Sequence, residues 1–114
     1  MIMNDFLQKI NDNPQKNSFE DTMSTIDLNY NFTPTRFKNG EQLNAENENN
    51  GSCKVFAFAQ IHKLTEQQTL HCFGDYYRKD VLDNPDNNDH QNIRNFMKTG
   101  WAGLEFDSDP LTKK

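Results

Sequence analysis

The sequence predicts an α+β fold, predominantly α-helical, with about five helices around a central buried helix and a small β-hairpin or short sheet. Three observations carry that prediction. The stretch from Asn50 to Arg78 is the most apolar in a polar chain, and within it Val55, Phe56, Phe58, Ala59 and Ile61 are apolar nearly all round, as in a buried helix. Phe19, Met23, Ile26 and Tyr30 recur at i, i+4, i+7 and i+11, which is one helical stripe. Between these two stretches, Phe32-Thr33-Pro34-Thr35 cannot continue a helix, and Asn39-Gly40 suits the two-residue turn of a hairpin.

In chain order, Asn4 is placed to cap a first helix that carries Phe6, Leu7 and Ile10 and ends at Asn11-Asp12-Asn13-Pro14. Ser18 opens the second helix, with Glu20 and Asp21 near the positive end of its dipole. In the hairpin, Thr35 and Phe37 are expected to pair with Gln42 and Leu43, and Ala45 to Asn50 reads as an exposed loop. Ser52 is the expected cap of the central helix. The alternation of Val55, Ala57, Ala59 and Ile61 also suits a strand, but the two alanines and the flanking Lys54 and Gln60 favour a helix. Thr65 and Gln68 form a capping box for the longest helix, with Leu70, Phe73, Tyr77 and Val81 on one face and a stop before Pro85. Asp89 is the expected cap of a last helix presenting Ile93, Phe96, Met97 and Trp101, terminated by Gly100 in a left-handed conformation. Leu104 to Phe106 reads as a strand able to join the hairpin, and fraying is expected after Asp107.

Composition narrows the function classes. A mean hydropathy of -1.00 and 33% hydrophobic residues leave little apolar area against a backbone entropy of about 1 to 2 kcal/mol per residue. Nine Phe, three Tyr and one Trp offset this, because each ring buries a large area. The 114 residues are read as a single domain, 1–114. A net charge of -5 with both signs interspersed gives no phosphate-binding face, so nucleic acid is not an expected partner. No apolar run approaches the roughly 18 residues of a membrane span, and no basic region followed by an apolar one marks a secretory signal. The two cysteines lack a framework spacing and are expected as free thiols in a reducing compartment, with a single bridge as the alternative.

The residues that bear chemistry support few sites. Cys53, read at the first position of a helix and beside Lys54, has the setting that lowers a thiol pKa. With His62, His71 or His90 as base it makes a candidate Cys-His centre, against the commoner case of a buried cysteine packing as a small apolar group. His71 and Cys72 are adjacent and point about 100° apart on a helix, so they do not chelate one ion, and no metal or other cofactor is expected. Asp83, Asp86, Asn87, Asn88 and Asp89 lack the glycine and the distal glutamate of a calcium loop. Candidate binding residues are Ser52 and Lys54, at the start of the central helix, and Asp75, Tyr76 and Arg78, either lining a groove or forming a solvated face.

The segments Asn4-Asp5-Phe6, Phe32-Thr33-Pro34-Thr35, Asn50-Gly51-Ser52-Cys53-Lys54, Phe56-Ala57-Phe58-Ala59-Gln60, Cys72-Phe73-Gly74-Asp75-Tyr76-Tyr77-Arg78, Asp89-His90-Gln91-Asn92-Ile93-Arg94-Asn95-Phe96-Met97 and Gly100-Trp101 together strongly resemble the HopJ family of type III effector proteins. The resemblance implies a small bacterial protein, named for likeness to an effector delivered into plant cells by a type III secretion system. It carries over no catalytic residue. The expected function is binding to a protein partner, from the bacterial cytoplasm or after secretion into a host cell. The rivals are a Cys53-dependent hydrolase or acyl transferase and an unsecreted small-molecule binder. The last of these requires a pocket of several hundred Å³ between the long helix and the hairpin.

Overall fold

The computed structural model describes residues 2–114. It shows the expected helix-dominated α+β architecture: α1 (Met3–Asp12), α2 (Phe19–Asn29), β1 (Tyr30–Phe32), β2 (Phe37–Asn39), β3 (Gln42–Asn44), α3 (Asn50–Ile61), α4 (Glu66–His71), α5 (Gln91–Thr99), β4 (Leu104–Phe106) and β5 (Leu111–Lys113). Two 3-10 turns, Pro14–Lys16 and Gly100–Gly103, and a π-helical segment, Tyr76–Val81, complete it. The strands form two small antiparallel sheets, β1 with β5 and β3-β2-β4. Among the described residues no helix is long and apolar enough to cross a membrane.

Helix α3 is the centre of the core. Val55, Phe56, Phe58 and Ala59 are fully buried, and the Phe56 ring meets Phe37, Phe73 and Phe96 at centroid distances of 6.3, 5.4 and 4.9 Å. Ile61, at the last turn, departs from expectation and is 48% exposed, because it borders an open concavity with Leu104, Phe106 and Leu111 and is not enclosed by them. The helix also starts earlier than the Ser52 cap implies. Asn49 adopts a left-handed conformation (φ 53°), which asparagine tolerates, and forms the boundary; Ser52 is the third helical residue and Cys53 the fourth. Similarly, α1 begins at Met3 with Ile2 as its boundary residue, so Asn4 lies inside the first turn and caps nothing. Its Phe6 and Ile10 are fully buried.

Ser18 does cap α2, accepting a hydrogen bond from the Asp21 amide at 3.1 Å. The helix stops at Asn29, so Tyr30 leaves the helical stripe and begins β1. Thr65 and Gln68 form the reciprocal capping box of α4. The long helix expected after Thr65 is nevertheless broken after six residues. At Gly74 φ is +62°, and an added Cβ would lie 2.6 Å from the Phe19 nitrogen and 3.1 Å from the Ser18 carbonyl carbon. The start of α2 passes so close that only a glycine turn fits, and the chain resumes as the π-helical segment. Leu70, Phe73, Tyr77 and Val81 are all buried despite the break.

Asp89 does not cap α5. His90, left-handed at φ 49°, is the boundary residue, and the Asp89 carboxylate instead accepts a 2.7 Å bond from Arg94 Nη2, which holds its carboxyl below the usual carboxylate range. The buried Arg94 guanidinium also donates to the carbonyls of Asp89, Pro85 and Asn84 at 2.6, 3.2 and 3.0 Å, ordering the acidic loop from within. Ile93 and Phe96 face the core, Met97 is 45% exposed, and Trp101 packs edge-on to Phe96 from the following 3-10 turn. Gly100 ends α5 at φ 55° and ψ -149°, a positive φ as expected but outside the left-handed helical region.

In the hairpin, Phe37, Lys38 and Asn39 pair with Asn44, Leu43 and Gln42, two residues out of the expected register for Phe37 with Gln42 and one for Phe37 with Leu43. The turn is Gly40-Glu41, with Gly40 at φ +59° and its amide donating to the Gly103 carbonyl at 2.9 Å. Thr35 precedes the strand, its hydroxyl donating to the Thr33 carbonyl. β4 joins the first arm through Phe37 opposite Phe106. The segment after Asp107 does not fray: Leu111 is buried, β5 pairs with β1, and the Thr33 amide donates to the Pro110 carbonyl at 2.8 Å.

Candidate functional site

Two grooves meet on one side of the molecule. The first, about 570 Å³, runs between Gln15–Glu20 and Asp75–Asp80. The second, about 530 Å³, opens where the starts of α2, α3 and α5 converge on the hairpin residue Gln42. Phe19 and Tyr76 line both, their rings edge-to-face at 5.1 Å, so they form the ridge between the grooves. Gly51 permits this arrangement, since a Cβ there would stand 3.2 Å from Phe19 Cζ.

The first groove is charged but balanced, with Lys16, Arg78 and Lys79 facing Glu20, Asp75 and Asp80. Arg78 is turned into the structure. It donates to the carbonyls of Pro14 and Asn17 and reaches His71 Nδ1 at 3.0 Å, fixing the turn that leads into α2. Asp75 stands 3.8 Å from it at the surface.

The second groove divides by chemistry. Phe19, Phe73 and Tyr76 present aromatic surface, while Gln42, Asn49, Ser52, Gln91 and Asn92 present amides and a hydroxyl. His90 is its one basic lining residue; Nε2 is 3.1 Å from Asp80 and the ring 5.3 Å from that of Tyr76. Behind the amides lies a buried asparagine network. Asn92 Oδ1 accepts from Asn39 and Asn44 Nδ2, both at 3.1 Å, and Asn44 Oδ1 accepts from Asn92 and Asn49 Nδ2 at 2.9 and 2.7 Å. Its members satisfy most of their polar atoms through one another, Asn39 Oδ1 alone among them being buried without a partner among the described residues, and the network fixes Asn49 and Asn92 where they line the groove.

Of the residues singled out from sequence, Asp75, Tyr76 and Arg78 line the first groove and Ser52, Tyr76 and His90 the second. Lys54 lies apart, 2.9 Å from Asp27 and over the Phe32 ring. Cys53 is not at a helix's first position and is 1% exposed. Burial pushes its thiol up to about 11, the reverse of an activated nucleophile, and its hydrogen-bond partner is the Thr35 carbonyl at 3.9 Å, with no histidine in reach among the described residues. Burial and Arg78 hold His71 below the usual histidine range, burial does the same to His62, and His62 is paired with the Tyr30 hydroxyl at 2.8 Å. Cys72 is enclosed as well, pushed up to about 12. Both free thiols are therefore expected to resist iodoacetamide in the native protein at pH 8 and to react fully in denaturant; modification of either within minutes under native conditions would contradict the burial described. Among the described residues no three His, Cys, Asp or Glu side chains gather as metal ligands.

Phe19, Gln42, Asn49, Gln91 and Asn92 were not legible as site residues. Asn and Gln at element ends read as caps and solvated loops, and only their long-range convergence makes a surface of them.

No curated protein matches the sequence. A crystal structure of an unknown function protein, VPA0580, is 54% identical, with a TM-score of 0.99 over 100% of this chain and 95% of that one. The family described as HopJ type III effector protein matches residues 3–111. With nearly the whole chain inside that match, the protein belongs to the HopJ type III effector family.

Proposed function

We propose that the protein is a bacterial effector delivered by type III secretion and that it works by non-covalent binding through the paired grooves. The supporting observation is the ridge of Phe19 and Tyr76 between two contiguous concavities, the second walled by amides of which a buried network fixes Asn49 and Asn92. Preorganised polar groups beside exposed aromatic surface favour recognition, because little ordering is left to occur on binding. Catalysis by Cys53 is disfavoured by the enclosed sulfur and its raised pKa. The position of the second groove, between the Tyr76 segment and the hairpin, also supports the reading in which the ligand is a small molecule, which a protein retained in the bacterium would equally bind.

A full-length fusion to a reporter active only in host cytosol separates these. The expected result is a signal that requires a working secretion apparatus; no signal would overturn the effector reading in favour of the retained binder. In the same assay Cys53→Ala is expected to leave the host response intact and Tyr76→Ala to diminish it. The opposite pattern would overturn binding in favour of catalysis.

A further inference from the structure

We propose that the second groove is a carbohydrate site, taking a neutral sugar whose C–H face lies on Tyr76 and Phe19 and whose hydroxyls bond to the facing amides. The inference rests on the binding reading above and names its ligand class.

The first argument is charge. The groove lining holds no Lys, Arg, Asp or Glu, and its one basic side chain, His90, is engaged by Asp80 at 3.1 Å. A charged ligand would leave water for this groove without a side-chain partner of opposite charge, whereas a neutral polar one meets no such cost. The adjoining groove, with six charged residues, marks the contrast.

The second argument is the division of the walls. Tyr76 is 43% exposed, large for a ring held in a fixed position, and its orientation comes from packing between Phe19 at 5.1 Å and His90 at 5.3 Å. Across from it stand planar amides. A pyranose has the matching asymmetry, an apolar C–H face that stacks on an aromatic ring and a rim of hydroxyls that both donate and accept.

The third argument is what the amides have left to give. The buried network uses the Asn92 Oδ1 twice and one Nδ2 hydrogen, leaving the other Nδ2 hydrogen without a partner among the described residues. Asn49 donates to Asn44, and among the described residues neither its Oδ1 nor the Gln42 side chain has a hydrogen-bond partner. Donors and acceptors are thus both on offer, which suits vicinal hydroxyls. The volume of about 530 Å³ falls within the range of small-ligand sites.

The test is a titration of the ¹⁵N-labelled full chain with neutral mono- and oligosaccharides built from glucose, galactose, mannose and N-acetylglucosamine, at millimolar concentration. Saturable shifts at Ser52, Tyr76, Gln91 and Asn92 are expected. Affinity should fall about tenfold in Tyr76→Ala, stay within about threefold of the parent in Tyr76→Phe, which keeps the ring, and fall in Gln42→Ala, whose side chain lies outside the core. The spectra of the free variants report their folding, so Gln42→Ala decides the matter if Tyr76→Ala is unfolded. Absence of saturable shifts with every sugar would overturn the assignment, as would shifts produced only by sugar phosphates or only by peptides. If no sugar binds while Tyr76→Ala still diminishes the host response, the carbohydrate assignment falls and the binding reading stands.

Discussion

Phe56→Ala is expected to lower the folding free energy by about 3 to 5 kcal/mol. The ring is fully buried and stands at a junction, touching Phe37 of the hairpin, Phe73 after α4 and Phe96 of α5. Its removal would loosen three elements at once, and the surrounding rings are too stiff to collapse into the space. Against a total of roughly 5 to 15 kcal/mol for an ordinary domain, the loss is a large fraction. The measurement is the urea midpoint, which should fall at unchanged slope. Ile61→Ala, on the exposed end of the same helix, serves as the control and should move stability by no more than about 0.5 kcal/mol. Equal shifts for the two variants would mean that the helix does not bury the face described.

Gly74→Ala is the second large effect, about 2 to 5 kcal/mol of destabilisation. A side chain in the left-handed region costs about 1 to 2 kcal/mol by itself, and here the added methyl also meets backbone, the Phe19 nitrogen at 2.6 Å. Backbone at the start of a capped helix cannot swing aside as a side chain can. Gly51→Ala makes the useful comparison, since its nearest neighbour is the edge of the Phe19 ring at 3.2 Å, which can yield. Thermal unfolding should therefore rank Gly74→Ala well below Gly51→Ala. If the two variants melt together, the close approach of α2 to Gly74 is not what breaks the helix.

Much of the architecture was legible because local signals agreed with it. Ser18, the Thr65–Gln68 box and the apolar run from Val55 each specify a helix by chemistry confined to a few residues, and the structure follows them. Asn4, Ser52 and Asp89 are sound caps by type, yet the boundaries fall at Ile2, Asn49 and His90; the last two are left-handed, with side chains engaged by Asn44 and Asp80, residues the local sequence does not point to. The break at Gly74 is set by a helix more than fifty residues earlier in the chain, and the pairing of β5 with β1 joins strands almost eighty residues apart. No window of sequence contains either pair. The site was half legible. Tyr76, Asp75, Arg78 and Ser52 stood out as polar or aromatic groups beside the apolar centre, whereas the asparagines that shape the second groove looked like ordinary loop residues until the fold buried them.

The bond from the Gly40 amide to the Gly103 carbonyl also bears on chemical ageing. An Asn-Gly sequence ordinarily loses ammonia when the glycine nitrogen attacks the asparagine side chain and closes a succinimide ring. At Asn39 that nitrogen is held by the far strap of the 3-10 turn, and the amide it would attack is fully buried. Deamidation at this position must therefore wait for the hairpin to lift away from α5, which makes Asn39 a slow internal clock for how often that corner of the molecule opens.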